Sequence, residues 1–96
     1  MKKILALSLA LGASLAFARD IEGIVESIDA GAKSITVSGN TIIVKPNTKI
    51  KYDGCKGERD SYKKFADIQV DDFVDVDVTT SKGALIAKSI EIQCRQ

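Results

Sequence analysis

Phe73-Val74-Asp75-Val76-Asp77-Val78 is the most regular stretch of this sequence. Valines hold the even positions and aspartates hold two of the odd ones, so the apolar pattern has a period of two. That period is expected for a strand with one buried face and one wet face. The stretch therefore predicts a β-strand whose valines face a core.

The segment just before this strand predicts a short helix. Asp60 and Ser61 are residue types that cap helix N-termini. Apolar side chains then recur at three- and four-residue steps, at Tyr62, Phe65, Ala66 and Ile68. We expect this helix to lie over one end of a sheet, because the remaining chain after residue 18 is typical of strands and turns.

Four further strands are expected at residues 20–29, 34–38, 41–52 and 84–92. The first and last change apolar phase midway, which predicts β-bulges near Glu26-Ser27 and Lys88-Ser89. The third is interrupted by Pro46-Asn47, which should lie at an edge or a bend because proline cannot donate to a ladder. Gly39-Asn40 predicts a type II′ hairpin turn, and Ser81-Lys82-Gly83 predicts a short hairpin loop.

The first 18 residues are typical of a secretory signal. Lys2 and Lys3 precede an apolar run over residues 4–15, and Ala16-Phe17-Ala18 is a small-x-small cleavage site. A membrane anchor is the alternative, but the run is shorter than the roughly 20 apolar residues that span a bilayer. We therefore expect a cleaved signal peptide at residues 1–18 and one domain at 19–96, located in the periplasm or secreted.

The composition of residues 19–96 favours a small β-protein of nearly neutral charge. This part contains eleven Ile and seven Val but only one Leu, a bias towards β-branched residues that favours sheet. Removing Lys2 and Lys3 from the 14 basic residues leaves 12 against 13 acidic ones, a formal charge of −1. Such a balance does not indicate a nucleic-acid partner or a polybasic membrane surface.

The two cysteines, Cys55 and Cys94, predict a disulfide if the chain is exported. Such a bridge would contribute roughly 4 kcal/mol in the chain-entropy model. A redox-active or metal-binding pair is the alternative. It lacks a Cys-x-x-Cys spacing, and the sequence contains no histidine. The pattern therefore favours a structural bridge.

Three strands, a short helix and two strands follow the order of the OB-fold, a five-stranded Greek-key barrel with a helix between its third and fourth strands. The chain resembles small exported OB-like domains of unknown function from bacterial envelopes, and more loosely the bacterial OB-fold periplasmic family. The resemblance lies in residues 21–29, 35–37, 47–50, 65–76 and 83–87. Such domains usually have Gly-Asp before the fourth strand, where this chain has Asp71-Asp72.

The resemblance implies an all-β fold with a little helix and an envelope location, but no known activity. It also agrees with the disulfide. In an OB topology the third and fifth strands are parallel neighbours, so their carboxyl ends meet. Cys55 follows the third predicted strand and Cys94 ends the fifth, so the fold and the bridge predict each other.

Asp75 and Asp77 form a candidate cation site on the wet face of their strand. Carboxylates two residues apart on a strand are separated by roughly 6.8 Å at the backbone, which a hydrated divalent cation could span. The alternative is a solvated face, since alternating aspartates keep a strand wet and no Asp-rich loop supplies converging carbonyls. The pattern favours the solvated face and predicts no metal or cofactor.

A candidate ligand face lies on the third strand, where many OB domains bind ligands. It consists of Ile43, Lys45, Lys49 and Lys51. Few aromatic side chains are available to stack on bases, so an anionic ligand or a protein partner fits better than single-stranded nucleic acid. A solvated lysine face is the plainer alternative.

The sequence gives no sign of catalysis, because it has no histidine, no Gly-x-Ser-x-Gly elbow and no Gly-rich phosphate loop. We expect a monomeric or weakly associating binding domain whose partner is a protein or a small anionic ligand. Two alternatives stay open: a cation-responsive or stress-protective protein that uses the aspartate strand, and a structural accessory subunit of an envelope assembly.

Overall fold

The structure is a computed structural model that describes residues 19–95, so the predicted signal segment lies outside the described residues. The strands are β1 (Arg19–Asp29), β2 (Ser34–Val37), β3 (Asn40–Tyr52), β4 (Ser61–Lys63), β5 (Phe73–Ser81) and β6 (Ala84–Ile92). A 3-10 turn, Phe65–Asp67, follows β4.

Five of these strands form a closed mixed barrel, which confirms the predicted all-β architecture. The order around the barrel is β2-β1-β5-β6-β3, and the pairing of β2 with β3 closes it. Strands β3 and β6 run parallel, and the other barrel pairs are antiparallel. Short β4 pairs antiparallel with the end of β3.

The alternation in β5 places its valines in the core. Val74, Val76 and Val78 are fully buried, while Asp75 and Asp77 lie on the outer face. The other buried apolar side chains are almost all isoleucine and valine from the remaining barrel strands, as the composition predicts.

Bulges occur at both predicted phase changes. In β1, Val25 pairs with Val37 and Ser27 pairs with Thr36, so Glu26 is the extra residue. In β6, Ser89 pairs with Asp77 and Ala87 pairs with Val78, so Lys88 is the extra residue. Each bulge turns the apolar side chains of the second half of its strand back towards the interior.

The β2–β3 turn differs from the prediction. Its central residues are Ser38 and Gly39, with φ of 51° and 79°, and Asn40 already pairs with Val37. Positive φ at both central positions defines a type I′ turn, so the predicted type II′ turn over Gly39-Asn40 was wrong. Both primed turns match the strand twist, but the turn found here begins one residue earlier than predicted and has positive φ at its second central residue, Gly39.

The predicted helix between the third and fourth barrel strands was also wrong. Ser61–Lys63 pairs with Ile50–Tyr52 as β4, and Tyr62 is 75% exposed. Only the 3-10 turn follows, and Ile68 after it is buried. A helix of about two turns is marginal on its own, and the open edge at the end of β3 offers backbone hydrogen bonds instead.

Candidate functional site

A gap in the barrel wall forms the candidate functional site. On one edge of β3, β2 pairs as far as Ile43 and β4 pairs from Ile50 onwards. Between these points, residues 44–49 have no strand partner on that edge within the described residues. A groove of about 320 Å³ lies there.

The bend in β3 shapes the groove and follows from Pro46. Proline has no N–H to donate, so the ladder cannot continue through it. The parallel pairing with β6 accordingly shifts register between Val44 and Lys49. Thr48 fixes the bend, because its hydroxyl accepts a 2.9 Å hydrogen bond from Lys45 N and donates a 2.8 Å bond to Ala87 O.

The floor of the groove is apolar. Val44 and Ile50 contribute nearly buried side chains from β3, with Pro46 between them. Phe65, half-buried at the start of the 3-10 turn, forms the opposite wall. Apolar floors of this kind are typical of small-molecule sites.

The rim of the groove carries four lysines, Lys33, Lys45, Lys63 and Lys64. Within the described residues, none of their ammonium groups lies within 4 Å of a carboxylate oxygen, since the ion pairs found there involve Lys51 and Arg95. The Asp67 carboxylate is nearby, but it accepts a 2.8 Å hydrogen bond from the backbone N–H of Lys64. The Lys33 ammonium lies 5.2 Å from the centre of the Phe65 ring. That of Lys63 lies 5.7 Å from the Tyr52 ring. This cationic rim stands out in a domain that is close to neutral overall.

Of the ligand face expected on β3, only Lys45 borders the groove. Lys49 lies beside Ser89 of β6 on the outer wall, and half-buried Ile43 lies beside Ile86. Lys51 instead meets three carboxylates, at 3.6 Å from Asp53, 3.8 Å from Asp60 and 3.6 Å from Glu91. The structure therefore does not bring these four residues together at one site.

The charges around Lys51 also affect its protonation. Its pKa is raised, first by Asp53, then by Glu91 and to a lesser degree by Asp60. Those carboxylates partly neutralise Lys51, so it is less suited than the groove lysines to bind an external anion.

Sequence reasoning missed Lys33, Lys63 and Lys64 as site residues and placed Phe65 on a helix. These residues come from two segments remote from the bend in β3, and the ends of β2 and β4 decide their proximity. The break at Pro46 was the one local signal of the groove.

Asp75 and Asp77 lie on an acidic face across β1, β5 and β6. The register aligns Glu22, Asp75 and Glu91 in one row, and Asp20, Asp77 and Ser89 in the next. Burial raises the pKa of Asp75, and repulsion from Asp20, Glu22 and Glu91 raises it further. Among residues 19–95, no three carboxylate, cysteine or histidine side chains converge as a metal site, and the cation site stays a hypothesis.

The predicted disulfide joins Cys55 to Cys94, whose Cα atoms lie 4.9 Å apart. Arg95, the next residue, then spans two parts of the fold. Its backbone N–H donates to the Tyr52 hydroxyl at 2.9 Å, and its guanidinium lies 5.3 Å from the Tyr52 ring. The same guanidinium donates to the backbone oxygen of Asp67 at 2.9 Å.

Arg95 also forms a two-pronged ion pair with Asp72. Its Nε lies 2.8 Å from Asp72 Oδ1, and its Nη2 lies 3.0 Å from Asp72 Oδ2. Burial would raise the pKa of Asp72, but hydrogen bonds from Arg95 and from the Gln69 N–H outweigh it and lower the pKa. Arg95 thus fastens residues 64–72, which include the Phe65 wall of the groove, to the barrel.

The fold defines the protein as a small, closed, OB-like β-barrel. Residues 22–91 match a family described as a domain of unknown function, DUF5666. The chain belongs to this family. A search of curated proteins finds no significant match.

Solved structures with a similar fold include Ag(I)-bound CusF, at 16% identity and a TM-score of 0.57 over 79% of this chain and 97% of that one. Apo-CusF from Escherichia coli is 14% identical, with a TM-score of 0.57 over 88% and 98% of the two chains. A Cu(II)-bound CusF variant from Escherichia coli is 16% identical, with a TM-score of 0.56 over 78% and 90%. At these identities the likeness concerns the fold alone. No helix among residues 19–95 has the length and apolar character to cross a membrane.

Proposed function

We propose that this protein is an exported, non-catalytic binding domain that holds a small anionic ligand in the lysine-rimmed groove. The observation that carries the proposal is the rim itself: four lysines line one concavity, and none of them forms an ion pair with a carboxylate among the described residues. Clustered like charges raise the local concentration of an oppositely charged ligand.

The ligand we propose differs in kind from the silver and copper ions that are bound in two of the three CusF structures. Soft metal ions favour thiolate, thioether and imidazole ligands. This sequence has no histidine, its one methionine is Met1, and both cysteines are joined in the disulfide. These residues are not suited to a soft metal ion, whereas the lysines of the groove are suited to an anion.

Apart from lysines, the groove lining offers few groups for acid–base or nucleophilic catalysis. Its lining has one hydroxyl, that of Thr48, which already accepts from Lys45 and donates to Ala87. No carboxylate lines it to act as a general base. These features support a binding domain in place of an enzyme.

Export is part of the proposal, supported by the signal-like residues 1–18 and by the disulfide, which is typical of oxidising compartments. Mass spectrometry of the protein from its native compartment tests it. We expect an N-terminus at Arg19 and no free thiol. An intact Met1 together with free thiols would contradict export.

Fluorescence titration with anilinonaphthalenesulfonate, an anionic probe of apolar sites, tests the groove. We expect saturable binding at one site, weakened at least about tenfold in K45Q/K64Q, because each charged hydrogen-bond partner contributes roughly 1.5–3 kcal/mol. The matched control is K49Q/K82Q, which removes two exposed lysines outside the groove. Equal loss in both variants, or no saturable binding, would contradict the proposal.

A cation-responsive role is the second candidate, favoured by the mutual repulsion around Asp75. A divalent cation would relieve that repulsion. Calorimetric titration with calcium distinguishes the two roles, since D75N/D77N should abolish the heat only if the acidic face binds the ion. Absence of binding below the millimolar range would exclude this role.

A further inference from the structure

We infer that the ligand of the groove is a single-chain anionic amphiphile, an unbranched alkyl chain with one anionic head group. This inference rests on the proposed function and names its ligand class. The groove places two chemistries side by side, an apolar floor and a cationic rim. A ligand that satisfies both must have an apolar part and an anionic part.

The floor argues against a compact oxyanion such as phosphate. Anion sites for such ions are usually built from free backbone N–H groups. Here the N–H of Val44 donates to Lys33 O at 2.8 Å, that of Lys45 donates to Thr48, and Pro46 has none. A compact anion could therefore reach the ammonium groups but would gain nothing from this part of the floor.

The same backbone argues against an extended peptide. A peptide that adds a strand to a sheet edge needs free N–H and C=O groups along that edge. Residues 44–46 offer no free N–H, as shown above. This half of the gap therefore cannot donate hydrogen bonds to an added strand.

An alkyl chain fits what remains. The chain would contact Val44, Pro46, Ile50 and the Phe65 ring, which are apolar and need no hydrogen bonds. A volume of about 320 Å³ is at the small end of ligand pockets, which suits one chain better than a two-chain lipid. The rim lysines have flexible stems that bring their ammonium groups to the head group at the mouth.

Calorimetry on residues 19–96 with monomeric octanoate, decanoate and dodecanoate tests the inference. We expect affinity to rise about fourfold per added methylene, which corresponds to about 0.8 kcal/mol per buried CH₂. Decyltrimethylammonium, with an alkyl chain but a cationic head, should bind at least about tenfold more weakly than decanoate. Inorganic phosphate should bind more weakly than octanoate.

Two variants separate the contributions of chain and head. F65S should flatten the dependence on chain length, because it removes one apolar wall. K45Q/K64Q should keep the dependence on chain length and lose the preference for an anionic head, whereas K49Q/K82Q should match the wild type. If F65S does not fold, the wild-type chain-length series decides.

The outcomes distinguish this inference from the proposed function. Phosphate binding as tightly as dodecanoate, without a chain-length effect, would overturn the amphiphile and leave the anion site. Equal binding of the cationic and anionic chains would overturn the anionic head group and with it the proposed anion site. Binding to phosphatidylglycerol vesicles that is tighter than binding to dodecanoate would assign the groove to a bilayer surface and overturn the single-chain ligand. No binding of any anion would overturn both proposals.

Discussion

Asp71 adopts a left-handed backbone conformation, with φ of 79°, just before β5. Glycine adopts this region most readily, and aspartate is one of the few other residue types that tolerate it. The structure shows Asp71 in that conformation. Its backbone N–H donates to Val25 O at 2.9 Å, which ties the turn to β1.

We therefore expect Asp71→Gly to raise the free energy of unfolding by about 0.5–1 kcal/mol. Glycine adopts positive φ without a Cβ penalty, and this gain exceeds the extra backbone entropy that glycine loses on folding. Asp71→Ala should lower it instead. Urea unfolding measures both. Equal stability of the two variants would show that the conformation carries no strain.

Asp75 faces three carboxylates on the neighbouring strands, and its pKa is raised by burial and then by those charges. A carboxylate with a raised pKa in the folded state destabilises the fold above that pKa. Like charges directly opposite each other in a sheet cost roughly 0.2–1 kcal/mol.

Asp75→Asn should therefore raise the free energy of unfolding at pH 7 by about 0.5 kcal/mol. The gain should shrink as the pH falls through the raised pKa and vanish below the ordinary carboxyl pKa of about 3.9, where wild-type Asp75 is protonated in both states. Urea unfolding across this pH range checks it. A gain that persists below that pH would rule out the charge explanation.

At the scale of elements, the strands were predictable and the segment between the third and fourth barrel strands was not. Alternation located the strands, and the phase changes located the bulges at Glu26 and Lys88, because a strand with one buried face cannot change phase without an extra residue. The helix prediction was wrong because the spacing of Tyr62, Phe65 and Ile68 carries no information about the open edge of β3. That edge drew residues 61–63 into a strand.

The groove was only partly predictable for the same reason. Pro46 predicts a break in pairing, and Lys45 beside it was identified. The partners Lys33 and Lys63–Phe65 depend on where β2 and β4 stop, which is a tertiary property. Lys51 shows the converse, since Asp53 is close in sequence but the approach of Asp60 and the pairing with Glu91 on β6 depend on tertiary structure.

We expect Arg95 to hold the segment at residues 64–72, which forms one wall of the groove, against the barrel. Arg95→Ala removes both hydrogen bonds to the buried Asp72 carboxylate and should lower the free energy of unfolding by about 2 kcal/mol. This is less than for a fully buried pair, since the Arg95 side chain is 37% exposed. Because the pKa of Asp72 is lowered in the fold, the loss should be full at pH 7 and disappear as acid protonates Asp72.

Hydrogen exchange locates the effect of Arg95. Arg95→Ala should increase exchange in residues 64–72 more than in β5 or β6. Arg95→Lys keeps the charge but not the two-pronged geometry, so its exchange in residues 64–72 should lie between that of the wild type and that of Arg95→Ala. Unchanged protection of residues 64–72 in Arg95→Ala would contradict the fastening role.

At the scale of the whole molecule, the disulfide secures a barrel with a small core. Fourteen apolar side chains are buried in the described part of the chain, nearly all of them isoleucine or valine. A domain of this size has a net stability of roughly 4–12 kcal/mol, so a bridge worth about 4 kcal/mol is a large share of it.

C55S/C94S should therefore lower the free energy of unfolding by about 4 kcal/mol and leave a marginally stable barrel. Thermal unfolding of the variant measures this, and the wild type with and without reductant is the control. Reductant should lower the midpoint of the wild type and leave that of the variant unchanged. A wild-type midpoint that is unchanged by reductant would show that the disulfide contributes little to stability.

We propose that this protein binds its ligand at the gap in the barrel wall between β2 and β4. An amide NMR titration of residues 19–96 with decanoate tests it most directly. We expect saturable shifts confined to Lys33, residues 44–50 and residues 63–65, with the acidic face of β5 and β6 unchanged. Shifts centred on residues 75–77 and 89–91, or no saturable shifts, would contradict it.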